Sequence, residues 1–111
     1  VATSAHVRTI ALGLPETEER TTWNQPTFRV QGKIFCWLTE DGAAAGVKVN
    51  KAERTELIAA DPEKFFHTEH DTRYNVVQIR LDRIDQDELA ELVRDAWQAT
   101  APARLRSSLE Q

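Results

Sequence analysis

One cysteine and no methionine stand among the 111 residues. A lone thiol cannot close an intramolecular disulfide, so nothing in the chain requires an oxidising compartment. No window approaches the run of about eighteen apolar residues that a membrane-spanning helix needs. No basic segment leading into an apolar run opens the sequence, so no signal peptide is expected, and a cytoplasmic location is. The four glycines are scattered singly, which leaves no glycine-rich phosphate loop. Basic charge is also in short supply: 14 Lys and Arg face 18 Asp and Glu, for a net charge of −4. A protein whose whole surface grips phosphate would carry the opposite sign, although a local basic patch remains compatible with this balance.

What is present suits one soluble domain over residues 1–111. The hydrophobic share of 41% and the charged share of 29% are those of a globular protein that can bury a single core. Residues 4–14 predict a helix, with Ser4 as N-cap and an apolar stripe of Val7, Ile10, Ala11 and Leu14. Gly13 and Pro15 end it. Residues 16–19 read as an acidic connector. Thr21, Thr22 and Trp23 are β-prone, but Asn24-Gln25-Pro26 interrupts them, which predicts a bent or bulged edge strand resuming over residues 27–30. Gln31-Gly32 is a hairpin turn signal. Residues 33–39 are apolar almost throughout, as a central strand would be, and residues 45–50 form the next strand.

Asn50-x-x-Glu53 resembles a capping box for a helix over residues 52–60, with Leu57 and Ile58 inward. Asp61-Pro62 stops that helix. Phe65-Phe66 begins a short strand, residues 67–73 a polar loop, and residues 74–81 a strand in which Val77, Ile79 and Leu81 alternate with Gln78 and Arg80. Asp85-x-x-Glu88 starts the last long helix, with Leu89, Leu92, Val93, Ala96 and Trp97 on its apolar stripe. Pro102 ends it, and a short helical tail follows. The expected order is α-β-β-β-α-β-β-α: an α+β two-layer domain with an antiparallel sheet and helices packed on one face.

The richest stretch runs from Trp23 to Leu38. It holds two of the three Trp, two of the four Phe and Cys36, with Arg29 and Lys33 set among them. Two registers suit it. Simple alternation through Gly32 turns Ile34, Cys36 and Leu38 toward the helices and leaves Arg29, Lys33, Phe35 and Trp37 on the other face. Lys48 and Arg80 would join that face, which could stack bases and pair phosphates. A strict two-residue hairpin instead pairs Phe28 with Phe35 and gathers Phe28, Val30, Phe35 and Trp37 into an apolar cluster.

Other constellations carry less chemistry. Lys48, Lys51 and Arg54 sit where a strand runs into a helix, a place that can bind an anion, though Glu53 and Glu56 partly neutralise it. His67, His70 and Asp71 are metal-ligand types, yet they lack a supporting set of ligands. Cys36, in an apolar strand with no base at hand, reads as core. The carboxylates near Glu18 and Asp85 read as solubility and capping, and no nucleophile–base pair appears.

An ordered set of motifs resembles the MmcQ/YjbR family over nearly the whole chain. It comprises Ala11-Leu12-x-Leu14-Pro15, Trp23-x-x-Pro26-x-Phe28-Arg29-Val30-x-Gly32-Lys33-x-Phe35, Val47-Lys48, Glu53-Arg54 and Asp61-Pro62-x-x-Phe65-Phe66. The strand over residues 77–81 and Glu88-Leu89-x-x-Leu92-x-x-x-Ala96-Trp97 complete it. The resemblance implies a secretion-chaperone-like α/β fold of the same element order and a DNA-binding label. Val76 or Val77 departs from the pattern, since relatives often carry Trp there.

The expectation is therefore a non-enzymatic binding protein with DNA or another nucleic acid as the partner implied by the resemblance. Arg29, Lys33, Lys48, Arg54 and Arg80 would contact phosphate, and Phe35 and Trp37 would stack. No cofactor, metal, membrane or small-molecule substrate is expected. The alternative is a protein-interaction or homodimerisation module that uses the same sheet surface or the Trp97 helix.

Overall fold

The computed structural model describes residues 1–110, with side chains described through residue 107. Helix α1 (Ser4–Leu12) opens the chain, and its cap is Thr3, one residue before the expected Ser4. The Thr3 hydroxyl accepts the His6 backbone N–H at 3.3 Å, and His6 Nδ1 accepts the Thr3 N–H at 3.0 Å. This reciprocal pair satisfies two donors that the helix itself leaves open. Val7 and Ala11 are buried beneath α1, and Leu14 closes over them.

The expected acidic connector is instead part of a strand, β1 (Thr17–Thr22). β1 lies at the sheet edge and is largely exposed, so Glu18, Glu19 and Arg20 keep their charges in water. Trp23 and Asn24 take φ of 54° and 64°. Positive φ at both central residues is what a hairpin turn matching the strand twist requires. The interrupted edge strand of the sequence reading is thus two strands, β1 and β2 (Gln25–Val30). The β2–β3 ladder begins only at Thr27, so Pro26 falls outside it. Gln31 and Gly32 repeat the turn, with φ of 53° and 77°, and lead into β3 (Lys33–Leu38).

β4 (Ala44–Lys48) follows, then α2 (Lys51–Ala60), capped by the Asn50 side chain, which accepts the Glu53 N–H at 2.7 Å. Leu57 and Ile58 pack half-buried against the core, as expected. After β5 (Phe65–Phe66), a single 3-10 turn over His70–Arg73 leads into β6 (Val76–Arg80). Asp85 caps α3 (Gln86–Thr100) by accepting the Glu88 N–H at 2.7 Å, and α4 (Ala103–Glu110) follows. The order is α-β-β-β-β-α-β-β-α-α, one strand and one short helix beyond the expected string.

The six strands form one antiparallel sheet in the order β1-β2-β3-β4-β6-β5. Helices α1 and α3 pack on one face, over a core row in which Phe28, Cys36, Val47 and Val77 are successive cross-strand partners. Trp97 on α3 is fully buried, and its indole N–H donates to the Pro15 carbonyl at 3.1 Å, tying the last long helix to the end of the first.

The β2–β3 register contains a bulge. Phe28 pairs with Cys36 and Arg29 with Ile34, which leaves Phe35 unpartnered. A bulge places one extra residue on one strand, so alternation resets across it. Phe35 and Cys36 both enter the core, while Ile34 and Trp37 fall on the opposite face. Neither sequence-level register matches this arrangement. Simple alternation misplaces Ile34 and Phe35, and the strict hairpin misplaces Trp37.

Candidate functional site

The face away from α1 and α3 carries one continuous cross-strand row: Arg20, Thr27, Trp37, Gly46, Gln78 and Phe66. Gly46 is the low point. A Cβ there would fall inside the indole of Trp37, against Cε2, Cζ2 and Cη2. The Trp37 ring therefore extends across β4 toward Gln78 and rests on bare backbone. Thr22 and Trp23, at the tip of the first hairpin, form one bank of the resulting groove. Residues 68–75 form the other. The groove's volume is about 810 Å³.

The groove differs in charge from the rest of the molecule. Arg29, Lys33, Lys48 and Arg73 line it, against a single carboxylate, Asp71. It is also rich in flat rings. Trp23 is 90% exposed, Tyr74 is 53% exposed, and Trp37 is half-buried on the floor. Arg29 is aimed along β2 by its own bonds: Nη2 donates to the Thr22 hydroxyl at 2.9 Å and Nε to that of Thr27 at 3.4 Å. Thr27 is fixed in turn by donating to the Arg20 carbonyl at 2.8 Å.

Of the residues singled out in the sequence, Arg29, Lys33, Trp37 and Lys48 meet in this groove. Phe35 does not: the bulge turns it into the core, where it is fully buried. Arg54 is also inside. Its Nη1 donates to the carbonyls of Asp71, Tyr74 and Val76, at 3.1, 2.9 and 3.1 Å. It is a brace that holds the 68–75 bank against α2, and it is not a surface contact. Arg80 shares the open face but lies beyond the groove. It sits over the Phe66 ring at 4.3 Å and donates to the carbonyls of Pro62 and Glu63.

Sequence reasoning missed Trp23, Arg73, Tyr74 and Asp71 as groove residues. The signal for Trp23 was present, since a β-prone run broken at Trp23-Asn24 and resumed at once fits a two-residue hairpin as well as a bent strand. Nothing local pointed to the 68–75 bank, because Arg54 folds it back from 17 or more positions away along the chain. The departure from the resembled family divides: Val76 lines the groove and Val77 belongs to the core.

The remaining candidates are placed as follows. Cys36 is buried, and removal from water pushes its thiol up to about 12, so it stays protonated and unreactive. Asp71 is buried and bonds to Gln78 and the Thr68 N–H, and His70 packs against Tyr74 with ring centres 5.5 Å apart. Among the described residues, no three His, Cys, Asp or Glu side chains are placed to hold a metal ion. No described helix is long and apolar enough to cross a membrane.

Comparison with known proteins places this architecture. The YjbR family model matches residues 12–99. The uncharacterized proteins Rv2570 of Mycobacterium tuberculosis and Mb2600 of Mycobacterium bovis are each 32% identical over 123 residues, covering 95% of this chain and 93% of theirs. Among solved structures, Deinococcus radiodurans protein DR2400, described by the domain DUF419, superposes with a TM-score of 0.78 at 20% identity, covering 98% of this chain and 88% of that one. At that identity the likeness is one of fold.

Proposed function

This chain belongs to the YjbR family, and we propose that it binds single-stranded nucleic acid in the groove on the open face of its sheet. The observation that carries this reading is charge segregation. In a chain of net charge −4, Arg29, Lys33, Lys48 and Arg73 converge on one concavity that also presents Trp23, Trp37 and Tyr74. Cations with stackable rings between them are the recurrent means of holding an unpaired strand, each stacked base contributing about 1–3 kcal/mol. A duplex keeps its bases stacked on one another and offers such rings no faces, so the exposed aromatics favour the single strand.

The reading is one of binding rather than catalysis. The groove's one carboxylate, Asp71, already accepts the Gln78 side-chain amide and the Thr68 N–H, and the chain's only thiol lies outside the groove. Fluorescence anisotropy with labelled single- and double-stranded DNA, from low to moderate salt, tests it. Salt-sensitive binding that is tighter for the single strand and is lost in Lys33→Glu/Lys48→Glu is expected. No binding at low salt, where phosphate contacts are strongest, overturns it.

One observation favours a second reading, self-association. β1 is an open sheet edge that ends at a Trp23 exposed to 90%. Sedimentation over a wide concentration range separates the two, since a strict monomer removes this one.

A further inference from the structure

Two oxygens of side chains that line the groove are without a protein donor among the described residues. Gln78 and Asp71 are 8% and 5% exposed, and both line the groove. Gln78 Nε2 donates to Asp71 Oδ2 at 2.7 Å, and the Thr68 N–H donates to the same oxygen at 3.0 Å. A carboxylate only accepts, so the amide must turn its nitrogen to Asp71, which fixes where Gln78 Oε1 points. Among the described residues, neither Gln78 Oε1 nor Asp71 Oδ1 has a hydrogen-bond partner, and no sealed side-chain polar atom is left unsatisfied. Both oxygens therefore keep contact with solvent, and the groove is the open space that both residues line. They lie beside the stacking surface, because Gln78 follows Gly46 in the row that the Trp37 indole overhangs.

We propose that Gln78 Oε1 and Asp71 Oδ1 act together as a paired acceptor that selects a guanine base stacked on Trp37. This rests on the groove being the ligand site. Guanine presents two adjacent donors on one edge, N1–H and the N2 amine. Adenine and cytosine set one amine beside a bare ring nitrogen, and thymine and uracil set one N–H between two carbonyls. Two acceptors match the guanine edge and repel the carbonyls of thymine. Leaving buried acceptors unpaired is what makes the wrong base costly. Discrimination by such a pair of hydrogen bonds is about tenfold or more.

The test uses labelled thymine octamers carrying one central dG, dI, dA or dC, together with GMP and UMP as competitors. The dG octamer is expected to bind about tenfold tighter than all-thymine, with dI, which lacks the N2 amine, falling between. Gln78→Met keeps the volume and removes one acceptor, so it brings the dG octamer down to the thymine level while thymine binding persists. Asp71→Asn turns the outer acceptor into a donor, and because every base presents an adjacent donor and acceptor, it levels the octamers while thymine binding persists, which misfolding cannot produce. Octamers binding the unaltered protein within twofold of one another, or a dG preference unchanged in both variants, overturns the assignment and leaves the nucleic-acid reading intact. GMP competing over UMP while no octamer binds keeps the base assignment and removes the polymer. No binding by any probe at low salt overturns both.

Discussion

The Trp37 indole occupies the space that any side chain at Gly46 would need. The two residues are cross-strand partners on β3 and β4, so the contact arises from register and not from proximity along the chain. Gly46→Ala must push the indole off the floor of the groove. Overpacking of this kind typically costs about 1–3 kcal/mol. Chemical denaturation should show that loss, and nucleic-acid binding should weaken with it. Trp37→Leu added to Gly46→Ala should recover most of the stability and none of the binding.

Phe35 distinguishes the bulge from simple alternation. Phe35→Ala should destabilise the protein by about 3–5 kcal/mol, the cost of emptying a fully buried aromatic site. Had the strand alternated without interruption, the same change would lie on the open face and cost little stability. Urea unfolding of Phe35→Ala beside Trp37→Ala makes the comparison.

Arg54 braces the loop bank from within. Arg54→Met keeps the stem and removes the donor that serves three carbonyls. Losing that donor, with the Asp71 carbonyl keeping only the Tyr74 N–H, should cost about 1–3 kcal/mol, and hydrogen exchange should quicken most at the amides of residues 68–75. The same variant should leave the salt dependence of binding unchanged, because the guanidinium contacts no solvent-facing anion.

Lys33→Glu and Lys48→Glu should each flatten the slope of log affinity against log salt by about 0.7 for every single-strand phosphate that is no longer neutralised. Arg80→Glu should leave the slope as it is, since Arg80 lies beyond the groove over Phe66. An equal effect of Arg80→Glu would extend the binding surface across β6.

Cys36 should resist a disulfide-exchange reagent at pH 8 in the native protein and react fully in denaturant. Burial pushes its thiol up to about 12, so the folded chain holds almost no thiolate at pH 8. Ready reaction of the native protein would show that the sheet opens locally around β3.

Much of the fold is legible along the chain because its causes are local. The Asn50 and Asp85 caps, the Gln31-Gly32 turn, the α3 stripe ending at Trp97 and the alternation around Val77 and Ile79 each depend on residues within a few positions. Residues 17–19 read differently in isolation because their charges argue for a connector, and only pairing with β2 at an open edge makes them strand. The candidate site was half legible for the same reason. Arg29, Lys33, Trp37 and Lys48 announce themselves as an aromatic and basic cluster on strands.

What sequence by itself determined is the class of the domain, the family and the presence of a cationic, ring-bearing strand pair, since composition, period and capping chemistry act over short distances. The tertiary structure alone decided which rings face out. One unpaired residue at Phe35 turns Phe35 into the core and Ile34 onto the open face, the reverse of simple alternation, and no local preference marks that position. It also decided that Arg54 serves the interior, and that Asp71 and Gln78 meet in the groove. Those contacts join residues on different elements, and they form only once the sheet has fixed its register.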